Sequence, residues 1–284
     1  SERSAALWLE IARLQARELD NPGAAQSSLQ RLLREQPQLS QAMLELGRLY
    51  IADRRADEAA ALLQRCLETK PDADTLHAAH SLLAEAHERA GRADEAFAHY
   101  AAALDAHPND VALLRRVARL QLDQGHHAAA ADAAARLLDL STEGAQRVEA
   151  LRWIAEAQLG LGKVDEAMDT LAEAVAIQGP RSAAAKEMIE RATSSEHWDR
   201  YVEALQGYLA ERAAPGRARN ALFEEIAQIQ HERLGDPQAA LSTLVRGLRE
   251  SDGDAGLRLR VVQRLVGVRR PADAIPQLQI LMVE

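Results

Sequence analysis

The sequence predicts an all-α solenoid, a row of antiparallel helix pairs stacked one on the next. Three observations carry the prediction. Hydrophobic residues make up 47% of the 284 residues while aromatics make up only 3%, so the apolar content is mostly Ala, Leu, Val and Ile. Good helix formers therefore dominate, and Gly and Pro punctuate them at intervals, as in helical arrays and bundles rather than sheets. Finally, a pattern of turn Gly followed by small residues recurs with a period near 34: Gly91 to Gly125 is 34 residues and Gly125 to Gly162 is 37. Self-similarity at that period, with two helices per unit, is the mark of a solenoid.

The units follow in order, each a first helix (A), a turn and a second helix (B). They start near Ala6, Ser40, His77, Val111, Val148, Ser182, Ala221 and Ala255, forming one array over residues 1–284. The first has Pro22 in the turn before helix B, where its missing N–H costs nothing. The second carries Leu46-Gly47, Tyr50, Ala59, Leu63, Cys66 and Pro71 but lacks the turn Gly. The third, Leu82 to Pro108 at its centre, reads LLAEAHERAGRADEAFAHYAAALDAHP, with Gly91 in the turn and Ala84, Ala96 and Ala103 on faces that should be buried. Such small residues let helix backbones approach closely, while Leu83, Tyr100 and Leu104 fill the space around them. A bulky residue at Ala96 would overpack the contact by about 1–3 kcal/mol.

The fourth unit pairs Gly125 with Ala130 and Ala134, and the fifth pairs Gly162 with Ala167, Leu171 and Ala174. The sixth, SAAAKEMIERATSSEHWDRYVEALQGYL, lacks the turn Gly and carries Trp198, Tyr201 and Tyr208. It is either a diverged packing solution, the more ordinary case, or a docking feature with aromatic anchors. The seventh, with Gly235, Pro237, Ala240 and Leu244, shares about half its positions with the first. The eighth ends in PADAIPQLQILMVE with Ile275, Leu278, Leu281 and Met282 uncovered, so the chain is expected to be a piece of a longer array or to self-associate through its last helix. Extra residues fall around Asp72–Leu76, Ser141–Arg147 and Ala214–Asn220, after every second unit, so the units come in pairs.

This spacing resembles the tetratricopeptide repeat (TPR) family. LELGRLY at Leu44–Tyr50 is close to the family's Leu-Gly-x-x-Tyr core, and DEAFAHYAAALDAHP at Asp94–Pro108 matches its helix B almost throughout. The resemblance implies a right-handed superhelix of about eight repeats, the last incomplete, acting as a non-catalytic scaffold that binds a partner peptide or helix in a concave groove. Structural assembly of a larger complex is the alternative. Arg outnumbers Lys about tenfold, as in GC-rich bacterial genomes, so a bacterial scaffold is expected.

Function classes narrow from the same residues. The net charge of −9 and the scarcity of aromatics argue against nucleic acid, which asks for a basic footprint and stacking platforms. No apolar run approaches the roughly 18–20 residues of a membrane span, and SERSAALWLEIARLQ shows no signal-peptide pattern, which slightly favours the cytoplasm, with the periplasm the alternative where a signal segment has been removed. His77, His80 and His87 share one A helix, with His99 and His107 in the next helix B, but zinc needs three or four ligands converging on a point. His80 and His87 stand where packing residues belong, so no metal site is assigned; His126 and His127 read as turn-proximal surface. Cys66 replaces a small buried residue and reads as an inert packed thiol. No G-x-S-x-G, P-loop, G-x-G-x-x-G or H-E-x-x-H occurs, so no catalytic residue and no cofactor are assigned.

The resemblance places the groove on one face of the A helices. That face brings up Glu10 and Arg17, then the partner-binding candidates Arg48, Glu85, Glu88, Arg115, Arg119, Arg152, Glu156, Lys186 and Glu190. Arg115, Arg119 and Arg152, with Arg116 and Arg147 nearby, could hold a carboxylate or phosphate through bidentate pairs. The competing and more ordinary reading has Asp123, Glu149 and Glu156 neutralise them as surface ion pairs. Family members that clamp chaperone tails carry Lys and Asn on this face; here it holds Leu14, Arg48, Glu85, Arg119, Glu156 and Glu190. Asn21, Asn109 and Asn220 fall in turns and links, so that clamp is not expected.

Overall fold

The computed structural model describes residues 2–195, 197–251 and 254–282, and these form sixteen helices and no strand. The A helices are α1 (Glu2–Arg17), α3 (Ser40–Ala52), α5 (Ala73–Arg89), α7 (Val111–Asp123), α9 (Gly144–Gly160), α11 (Ala183–Ser195), α13 (Arg217–Glu232) and α15 (Ala255–Gly267). The B helices are α2 (Pro22–Glu35), α4 (Ala56–Glu68), α6 (Ala93–Ala106), α8 (His127–Leu140), α10 (Val164–Gln178), α12 (Trp198–Glu211), α14 (Pro237–Glu250) and α16 (Pro271–Leu281). They pack pairwise as a helical repeat array of eight pairs. The chain divides into two compact units, Ser1–Val117 and Ala118–Glu284.

Turn chemistry sets each hairpin. Gly91, Gly125 and Gly162 sit between A and B helices with φ of 74°, 74° and 76°, a left-handed backbone that glycine adopts without a Cβ penalty. The second pair, which lacks the turn Gly, places Arg54 there at φ 60°, and the last pair places Arg269 there at φ 59°. In the first and seventh pairs the same role falls to Asp20 and Gly235, followed by an N-cap and a proline. Asn21 accepts from the Ala24 N–H at 3.0 Å, and Asp236 accepts from Gln238 and Ala239. The other B helices have Arg55, Arg92, His126, Lys163, His197 and Arg270 at the N-cap, none of which caps with its side chain. Three of these cations instead pair with an acid in the first turn, Arg55 with Glu58, Lys163 with Glu166 and Arg270 with Asp273. A carboxylate there also complements the helix dipole.

In the first unit each helix packs on the next in sequence from α1 to α6, and α3 also meets α5. Its core runs from Ala5 and Leu9 through Leu29, Met43, Leu63 and Cys66 to Leu83. Ala84, Ala96 and Ala103 are fully buried, as the close approach of neighbouring helices requires. Gly47 marks an equally tight point: a Cβ there would lie 2.9 Å from Leu63. In the second unit α8 to α16 pack in the same sequential manner, around Leu151, Met168, Leu205, Phe223 and Leu244. The sixth pair is the irregular one. Its α12 packs chiefly on α10 rather than on its own partner α11, which offers mainly Ala184, Ala185, Met188 and Ala192 to the core.

The extra residues after every second unit are not all loop. They build an additional turn at the start of an A helix, so α5, α9 and α13 begin at Ala73, Gly144 and Arg217, upstream of His77, Val148 and Ala221. A helices consequently alternate in length: 16, 13, 17, 13, 17, 13, 16 and 13 residues from α1 to α15. In α5 the added turn is held by Asp72, whose carboxylate accepts from the Thr75 N–H at 2.9 Å and from its hydroxyl at 3.2 Å. These bonds, the backbone one first, draw the Asp72 pKa below the ordinary carboxylate value.

Candidate functional site

Three cavities open between successive A helices, and charged side chains line each. In the first unit a cavity of about 270 Å³ lies among α3, α5 and the start of α7, with Arg48, His77, Ser81, Glu85, Tyr100 and Arg116 in its wall. In the second unit a cavity of about 440 Å³ lies among the end of α7, α9 and α11, lined by Arg119, Arg152, Trp153, Glu156, Glu187 and Glu190. A third, of about 230 Å³, sits between α13 and α15 with Glu224, Glu232, Arg260 and Arg264.

The first cavity has a wired wall. Glu88 accepts from the Tyr100 hydroxyl at 2.7 Å and from Arg116 Nε at 2.9 Å, while Glu85 pairs with Arg89 at 2.8 Å and Arg116 at 3.5 Å. Burial first, and the Glu88 carboxylate second, push the Tyr100 hydroxyl far above the ordinary phenol value. Burial opposes the charge of Arg116, but Tyr100, Glu88 and Glu85 together outweigh it and raise its pKa. Arg48 differs: it is exposed and makes no ion pair among the described residues.

In the second unit Arg119 pairs with Asp123 at 2.8 Å and reaches Glu156 at 3.7 Å. Arg152 pairs with Glu187, whose hydrogen bond raises the Arg152 pKa. Lys186 and Glu190, four residues apart, are both exposed and make no ion pair with each other. Arg115 belongs to the first unit, and Arg119 and Arg152 to the second. Asp123 and Glu156 are partners that residue spacing predicts for Arg119. Glu187 is not, yet it stands 35 residues from Arg152, one repeat away on the equivalent face. The same offset recurs in Arg92–Asp57 at 35 and Arg13–Glu45 at 32, so the repeat period itself was the signal for these inter-repeat pairs.

The histidines pack against one another. His77 is fixed between the Ala103 carbonyl at 2.9 Å and Asp110 at 3.1 Å, beside the His107 ring. His80 and His99 meet Nδ1 to Nδ1 at 3.0 Å, and His99 stacks on His87 with centroids 5.4 Å apart. His87 accepts from Arg92 Nε at 3.0 Å. Burial lowers the pKa of all three, aided at His99 by the two neighbouring rings and at His87 by Arg92, against a smaller pull from Glu95 and Asp57. Among the described residues no three metal-ligating side chains converge on one point. Cys66 is fully buried, which raises its thiol pKa.

Tetratricopeptide repeat family models match residues 16–86, 77–120 and 117–183, which together span 16–183 without a gap. The chain is a tetratricopeptide repeat protein. No curated protein matches the sequence. Among solved structures the chain is similar to MamA, at 18% identity and a TM-score of 0.53, covering 69% of this chain and 97% of that one. It is also similar to YrrB, described as a TPR protein with an unusual peptide-binding site, at 15% identity and a TM-score of 0.53, over 64% and 90% of the two chains. A TPR protein from Parabacteroides merdae matches over 93% and 99% at 13% identity and a TM-score of 0.53. At these identities the likeness is one of fold. TPR arrays are in general protein–protein interaction modules and typically non-catalytic. No helix among the described residues is long and apolar enough to cross a membrane.

Proposed function

We propose that this TPR protein is a non-catalytic scaffold that holds a partner peptide or helix against the exposed faces of its A helices. One observation carries the reading. Cavities recur between successive A helices, and they are lined by Arg48 and Glu85 in the first unit and by Arg119, Arg152, Glu156 and Glu190 in the second. Mixed charge in cavities that also expose apolar side chains suits a helix or extended segment that carries both charged and apolar side chains. The peptide-binding site named for YrrB is in keeping with this use of the fold.

The test is partner capture by photo-crosslinkers at Leu82 and Trp153, comparing the native sequence with Arg48→Glu and with Arg119→Glu/Arg152→Glu. Charge reversal is expected to cut the cross-linked yield; equal yield from the reversed proteins would remove these residues from the interface. A second reading, self-association, draws on α16 and its C-cap, where Ile275, Leu278 and Met282 are 55%, 43% and 86% exposed. Light scattering of Leu278→Glu tests it: oligomers that persist in the variant exclude that face.

A further inference from the structure

A fourth cavity, of about 420 Å³, has a different construction from those between A helices. The α10–α11 link, the B helix α12 and the first turns of α13 form it, beside the irregular sixth pair. Its walls are apolar: Pro180, Leu222, the alanines of α13 and the ring of Tyr208. That ring packs closely on Gly179, which has φ 86° and where a Cβ would stand 2.6 Å from the Tyr208 ring. No described residue bonds the Tyr208 hydroxyl.

The polar groups in this cavity are only partly engaged. Glu225 is a half-buried carboxylate in its wall. One oxygen accepts from the Tyr201 hydroxyl at 3.2 Å, and the other has no hydrogen-bond partner among the described residues. Arg181 is exposed at the rim, is felt electrostatically by Glu225, and makes no ion pair within 4.0 Å among the described residues. Burial, the leading influence on Glu225, raises its pKa, while the Tyr201 hydrogen bond and the charge of Arg181 lower it; its free oxygen has no cation in direct contact among the described residues. An apolar cavity with a few convergent polar groups is the ordinary form of a binding site.

We infer that this cavity docks a lysine or arginine side chain of a protein partner, its cationic head on the free oxygen of Glu225 and its aliphatic stem along Tyr208, Pro180 and Leu222. Charge complementarity selects the occupant. A cation supplies what Glu225 lacks, and an acidic residue beside it in the partner meets Arg181 at the rim. Long basic side chains suit the geometry, since their stems cover apolar surface while the head keeps polar contacts. The site lies apart from the cavities between successive A helices, so a partner can be gripped in both places or in either alone.

The probe is the acetylated, amidated pentapeptide Ala-Leu-Lys-Asp-Ala, titrated into the full chain labelled with ¹⁵N and, at glutamate carboxyls, ¹³C. Binding is expected to shift amides at Gln178–Arg181, Tyr208 and Ala218–Glu225, and to lower the Glu225 carboxyl pKa. Replacing Lys by norleucine should weaken binding about tenfold, the worth of one charge-assisted hydrogen bond. Glu225→Gln, which keeps the shape and the Tyr201 contact, should remove that preference. Arg181→Ala, at the exposed rim, should keep it while losing the advantage of Asp over Asn. The inference is overturned if norleucine binds as well as Lys, if folded Glu225→Gln retains the preference, or if no shift occurs at these amides. Shifts confined to α9 and α11 would overturn it too, while leaving the A-helix reading intact.

Discussion

Replacing Gly247 with Ala should destabilise this protein, although Ala is the better helix former. Gly247 lies in the last turn of α14 against Phe223 of α13, which is fully buried. A Cβ at Gly247 would stand 2.6 Å from Phe223 Cγ and 2.9 Å from its Cβ. Carbon atoms rest about 3.5–4.0 Å apart, so the contact must open by about 1 Å. The atoms met are the root of the phenylalanine side chain, so no rotamer change relieves the clash; α13 and α14 must separate. Overpacking of this kind costs about 1–3 kcal/mol, against a gain of about 0.5–1 kcal/mol from removing glycine within a helix. A net loss of up to about 2.5 kcal/mol follows, or a fall in the unfolding midpoint of up to about 10 °C. Gly207 in α12 is the control in the same unit. Its added Cβ would meet Ala176 Cβ at 3.6 Å, an ordinary contact, so Gly207→Ala should raise the midpoint by about 1–4 °C. Circular dichroism melts at 222 nm compare the two. If Gly247→Ala melts at or above Gly207→Ala, the account of α13–α14 packing fails.

Ala96→Leu should destabilise the first unit by about 1–3 kcal/mol, since Ala96 is fully buried; faster amide exchange in α5 and α6 reports it. Asp72→Ala should lose about 1 kcal/mol with its cap, and Asp72→Asn should recover most of it, read as shifts in urea midpoint. Acid should weaken the first unit through His80, His87 and His99. Burial holds their pKa values below the unfolded value of about 6.5, so below that pH the unfolded chain binds more protons. Stability is therefore complete above about pH 6.5 and falls as the pH drops. His99→Gln should flatten that slope in amide exchange of α5 and α6 between about pH 7.5 and 5.5, and an unchanged slope would clear the histidines.

Much of the fold was legible because its signals are local. Gly91, Gly125 and Gly162 announce a left-handed turn, and Ala96 and Ala103 announce a close approach wherever they fall in the period. The added helical turns were less visible: residues such as Asp72–Leu76 look like a linker until Asp72 is seen capping Thr75. The candidate site was legible only as a face. Residue spacing finds Asp123 for Arg119, but Glu187 meets Arg152 only because adjacent repeats are superposed. Glu225 was the hardest to find. At helical surface spacing it looks like any solvated acid, and only the displacement of α12 toward α10 places it beside Tyr201 and Arg181.

The alternation of long and short A helices has a bearing on how such a chain grows and shrinks. A single added or lost hairpin would set two long or two short A helices in succession, with one end overhanging or one left bare. Gain or loss of two hairpins, such as residues 144–216, brings a long helix back to where a long helix stood. The heritable brick of this architecture is therefore the tandem, and chimeras cut at Ala73, Gly144 or Arg217 should splice more cleanly than those cut at Ser40 or Ala183.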